Sequence, residues 1–176
     1  MSRLEPPDYS GIFLEPDNIR YQDIDPPLRN LIRFINSQSW IRTYGSCAGP
    51  AHHGEDPGHE HKFFIGLFVD EACAGMKQVH LWLDEANRLN GSTGLRAEIA
   101  QVDKHPFGQG MVDGWNAYRL RAKEIRRGNN PPPPRVYLRL IKCLESAWEK
   151  FLSRGREGPF MWYPSLLTSG KIAQTT

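Results

Sequence analysis

Residues 41–69, IRTYGSCAGPAHHGEDPGHEHKFFIGLFV, decide how this chain folds. Ile41 to Ser46 reads as a strand entering a Gly/Pro-rich loop. Lys62 to Val69, the most apolar run in the protein, reads as a buried strand leaving it. Two strands bracketing a loop of about fifteen residues can pair as a long hairpin, and a loop of that length is uncommon without a function or disorder to explain it.

Upstream, Asp25-Pro26-Pro27 is a helix start, with Asp25 as N-cap and proline tolerated in the first turn. Leu28, Leu31, Ile32 and Ile35 follow at i, i+3, i+4 and i+7 and predict an amphipathic helix ending between Asn36 and Ser39. Downstream, Asp70 is expected to cap a second helix. Cys73, Met76, His80 and Leu83 would share one face, with His80 in the core or at its boundary and Asn90-Gly91 as the stop.

Leu95 to Val102 reads as a third strand and Trp115 to Ile125 as a fourth, joined by the glycine-rich HPFGQGMVDG of residues 105–114. GNNPPPP, Gly128 to Pro134, breaks any helix. Tyr137, Leu140, Ile141, Leu144, Trp148 and Phe151 then mark a third helix, stopped by Gly155. The order α-β-β-α-β-β-α predicts an α+β fold: about four strands in a largely antiparallel sheet, with helices on one face. A doubly wound parallel sheet would need strict β-α alternation. Residues 1–24 are expected to be an irregular N-terminal arm, 25–155 a single α+β domain, and 156–176 an irregular aromatic C-terminal tail. Phe160, Trp162 and Tyr163 of that tail would fold back or meet a partner subunit.

A chain of 176 residues suits one domain with a proper core. A net charge of +2 gives no argument for wholesale binding to nucleic acid or membrane. Cys47, Cys73 and Cys143 are odd in number and widely spaced, which favours a reducing compartment over a disulfide framework. The N-terminus lacks a signal-peptide pattern, and no run approaches the ~20 apolar residues that span a bilayer. A cytoplasmic protein without membrane attachment is expected.

Chemistry concentrates in residues 44–61, which hold one cysteine, four of the six histidines and three acidic residues. Cys47, His52, His53, His59 and His61 are legitimate ligands for zinc or a similar borderline ion, and three of them with an open position would make a catalytic-type site. The spacing matches neither a zincin helix nor a zinc deaminase, whose P-C-x-x-C half is missing. A solvated, His-rich surface loop is the competing reading. Cys47, next to Ser46 and ahead of Gly49, is also a candidate nucleophile given a nearby histidine base. The plainer alternative is a small residue ending a strand. A small molecule or a metal ion is the expected partner in either case.

The helix ending Arg33-Phe34-Ile35-Asn36, the strand running into Ser46-Cys47-Ala48-Gly49 and the apolar strand after it resemble the tRNA wybutosine-synthesizing methyltransferase family over residues 25–70. The resemblance implies an α+β fold without a Rossmann domain, with S-adenosylmethionine as methyl donor and tRNA as substrate. Only Ser46, Cys47 and Gly49 carry over from its S-S-C-S-G-R signature; Gly45 and Pro50 stand where a serine and the arginine would be.

Gly108, Gly110 and Gly114 do not sit between a strand and a helix, so they are turn glycines rather than a dinucleotide fingerprint. Arg119, Arg121 and Lys123 fall at i, i+2 and i+4, on one strand face. With Arg126, Arg127, Tyr118 and Trp115 nearby, they could contact a phosphate backbone. A solvated or charge-protected strand face is the alternative.

Overall fold

The structure is a computed structural model that describes residues 19–54, 62–73, 75–102, 115–125 and 132–157. Its helices are α1 (Arg29–Asn36), α2 (Pro50–His53), α3 (Gly75–Asn90) and α4 (Pro134–Glu157), and its strands β1 (Ile41–Cys47), β2 (Phe64–Asp70), β3 (Leu95–Gln101) and β4 (Trp115–Glu124). Short 3-10 turns, Tyr21–Asp23, Pro26–Leu28 and Glu71–Cys73, complete it. The sheet order is β1-β2-β4-β3 and every pairing is antiparallel. The expected α+β architecture is the one observed.

Alternation along the strands decides where the core lies. Ile65, Leu67 and Val69 of β2 stand in register with Leu120, Tyr118 and Asn116 of β4. Leu95, Ala97 and Ile99 of β3 continue the same face. Most of these apolar residues are buried with Leu31, Ile32 and Ile35 of α1, Val79, Trp82, Leu83 and Ala86 of α3, and Leu140, Ile141, Leu144 and Trp148 of α4. Burial of this apolar area drives the collapse.

Asparagines bond to a part of each sheet edge. Asn36, at the end of α1, accepts the Thr43 N–H through Oδ1 at 2.9 Å and donates through Nδ2 to Thr43 Oγ1 at 2.8 Å. Asn87 of α3 accepts the Ala97 N–H at 2.8 Å and donates to the Ala97 carbonyl at 2.9 Å, and Asn90 donates to the Leu95 carbonyl at 2.8 Å. β1 and β3 are the edge strands, whose outward backbone groups would otherwise invite pairing with another chain.

Several local expectations are corrected. α3 begins at Gly75, because Asp70 ends β2 and its Oδ1 caps the 3-10 turn at Ala72 N–H, 3.0 Å away. Its buried stripe is Val79, Trp82, Leu83, Ala86 and Asn90. Cys73 and His80 are exposed: the bulk of Trp82 sets the phase of the helix and turns His80 to solvent. Gly155 lies inside α4; a single helical glycine costs about 1 kcal/mol and does not by itself end a helix. Within the expected N-terminal arm, Tyr21 and Ile24 pack on the core. The aromatic tail and the 105–114 loop lie outside the described residues.

Candidate metal centre

The end of β1 is built by its own turn. Ala48 is fully buried and anchors the chain after Cys47. Gly49 follows with φ +56° and ψ −138°, a conformation that L side chains rarely adopt. Pro50 then opens α2 at its first position, where a missing N–H is harmless. The His52 and His53 N–H groups both donate to the Gly49 carbonyl, at 3.1 and 3.0 Å, and Gly54, at φ +70°, closes the helix. One turn of helix thereby carries His53 back over the strand end.

A third segment meets them there. Donor atoms of Asp25, Cys47 and His53 lie within 4.8 Å of one another, and all three residues are half-buried. Asp25 Oδ2 stands 3.4 Å from His53 Nε2 and accepts the Ala48 N–H at 2.7 Å. Its Oδ1 is 3.8 Å from Nε2 of the more exposed His52, whose ring lies edge-on to that of His53 with centroids 4.7 Å apart. The Gly49 N–H donates to Cys47 Sγ at 3.4 Å. Two backbone N–H groups thus orient the carboxylate and the sulfur.

Burial pushes the Cys47 thiol up most; the Gly49 N–H opposes this, and the charge and hydrogen bond of Asp25 raise it further. An anion against a thiol discourages a free thiolate. In a Cys-His-Asp relay, thiol and carboxylate would bind opposite nitrogens of the imidazole. Here Asp25 reaches both the sulfur and His53 Nε2, so the three groups converge instead of forming a line.

Cys47 and His53 come together, His52 stands at the rim, and His59 and His61 lie outside the described residues. Ser46, Cys47 and Gly49, the residues of the family resemblance, all fall at this strand end. The sequence predicts Asp25 as a helix cap, but its side chain makes no capping hydrogen bond to the turn at Pro26–Leu28. The signal was present in the two prolines after it. An N-cap carboxylate needs the N–H of the second or third helical residue. Pro26 and Pro27 have none, and the Leu28 N–H is taken by Asp25's own carbonyl at 2.9 Å. The carboxylate is left to serve elsewhere.

Arg119, Arg121 and Lys123 share one face of β4, as expected, and all are exposed. Tyr118 is on the opposite, buried face, where it donates a hydrogen bond to Glu71, so it cannot stack beside them. Phe64 and Tyr44 take that place: the Arg119 guanidinium lies over the Phe64 ring, 5.3 Å from its centroid. Among the described residues, no helix is long and apolar enough to cross a membrane.

Fold and site together define an α+β domain, with helices packed against a four-stranded antiparallel sheet and an Asp/Cys/His group at the end of its first strand. No family model, curated protein or solved structure matches the chain.

Proposed function

We propose that the protein binds one borderline divalent cation, zinc in the first instance, through Asp25, Cys47 and His53, leaving a coordination position for water or a small ligand. The convergence of an oxygen, a sulfur and a nitrogen donor from three separate segments carries this reading. Zinc takes this donor mixture, and three protein ligands with one open position are the catalytic arrangement. Charge supports it as well. A carboxylate and a thiolate side by side repel, and a doubly charged cation between them removes the repulsion. His52, at the rim beside Asp25, orders the approach to that position. A bound ion would supply Lewis acidity and an acidified water.

Elemental analysis of tag-free protein tests the reading. About one ion per chain is expected, retained in His80→Ala and lost in both Cys47→Ser and His53→Ala. Cobalt substitution gives a second readout, a thiolate charge-transfer band present in the native chain and absent from Cys47→Ser. Protein that takes up no ion on reconstitution, or keeps it in both site variants, refutes the proposal. A His59→Ala/His61→Ala variant asks separately whether the loop histidines contribute.

A further inference from the structure

The sheet face that carries β4's basic residues has its own charge pattern. Antiparallel register sets Arg96 opposite Lys123, Glu98 opposite Arg121 and Ala100 opposite Arg119. Residues opposite each other share a face, so Arg96, Arg119, Arg121 and Lys123 form one patch. Glu98 is its carboxylate: it accepts from Arg121 Nε at 2.6 Å and lies 3.1 Å from Lys123 Nζ. Among the described residues, no carboxylate pairs with Arg96 or Arg119. Four cations against one anion leave a local excess larger than the +2 of the whole chain, so positive charge is concentrated here.

The patch is open and regularly spaced. The Arg121 and Lys123 side chains are 57% and 63% exposed. Alternate residues of a strand repeat at about 6.7 Å, close to the separation of neighbouring phosphates on an extended nucleic-acid strand. The half-buried Phe64 under Arg119, and Tyr44 on the same face, add aromatic surface next to the charges. Evenly spaced cations flanked by rings are the elements of a single-strand platform.

We propose that this face binds single-stranded nucleic acid, with Arg119, Arg121 and Lys123 as successive phosphate contacts, Arg96 flanking them and Phe64 and Tyr44 offering stacking surface. Phe64 pairs in register with Cys47 on one side and Arg121 on the other. A bound strand therefore passes about 10 Å, two strand spacings, from the end of β1. The proposal stands whether or not a metal binds there.

Fluorescence anisotropy with a labelled single-stranded RNA oligonucleotide, followed across salt concentration, is the test. Three phosphate contacts predict a slope of log affinity against log salt of about −2, at ~0.7 per phosphate. Arg119→Gln/Lys123→Gln should weaken binding at least roughly tenfold and flatten the slope by about 1.4. Glu98→Gln, which removes the patch's carboxylate, should tighten binding severalfold, an effect that misfolding cannot imitate. Affinity that ignores salt, is unchanged in the double variant or is not improved by Glu98→Gln overturns the proposal. So does equal affinity for heparin or for vesicles of anionic lipid, which would make the face a plain cation exchanger.

Discussion

At the scale of single residues, Asp25 acts on Cys47 in opposite senses with and without a cation. Without one, its charge and hydrogen bond add to burial in holding the thiol protonated, against the pull of the Gly49 N–H. With one, it becomes a ligand. Asp25→Asn should therefore lower the thiol's pKa, and iodoacetamide should modify metal-free Cys47 severalfold faster at pH 8, as read by site-resolved mass spectrometry. The same substitution should weaken zinc binding. An unchanged alkylation rate would show that Asp25 does not govern the sulfur. The thiol proton must leave for the sulfur to ligate, so zinc affinity rises about tenfold per pH unit below the thiol's pKa. Cys47 and His53 were legible as ligand types in sequence. Asp25 was hidden because it stands 22 residues before Cys47, and only the fold of α1 onto β1 brings the 3-10 turn at Pro26–Leu28 to the strand's end.

At the scale of elements, strands and helices were readable wherever one periodicity dominated. The alternating and continuous apolar runs of β2 and β4, and the 3.6-residue stripe of α4, left no competing register. Met76 and Leu83 of the expected α3 face do pack on the core, but His80 fits a helical period as well as Val79 and Trp82 do, and only the larger apolar gain of burying tryptophan chooses between them. The asparagines were invisible in a different way: Asn36 and Asn90 read as helix ends, while their side chains serve the neighbouring strands. Asn87 makes the point testable. Asn87→Ala leaves the Ala97 N–H and carbonyl without their partner at the sheet edge, which should cost about 1–3 kcal/mol in urea unfolding. It should also increase self-association on light scattering, since an unprotected edge strand templates pairing. Unaltered stability and a monodisperse variant would show that water replaces the amide at no cost.

At the scale of the molecule, α4 joins the core to the site. It packs on α1, α3 and β3, and also on α2, the turn that carries His53. Its centre is Trp148, fully buried, stacked on Trp40 with centroids 5.9 Å apart and edge-on to Trp82 at 4.7 Å. Among the described residues, the buried Trp148 indole N–H finds no hydrogen-bond partner. Trp148→Phe thus sheds an unpaired donor as well as volume, and should cost less than Trp148→Ala. The alanine variant loses about 3–5 kcal/mol by transfer and cavity terms, a large share of the ~5–15 kcal/mol that holds a typical domain together. Because zinc binds only the folded chain in the proposed scheme, a free concentration 100-fold above its dissociation constant adds about 2.7 kcal/mol. Zinc should then move the urea midpoint of Trp148→Ala back by more than half of its loss, with the slope unchanged. The same addition should do nothing for Trp148→Ala/Cys47→Ser. A midpoint that zinc shifts equally in both variants would place the cation elsewhere on the chain, and one that it shifts in neither would mean that the end of β1 does not gather its three donors around an ion.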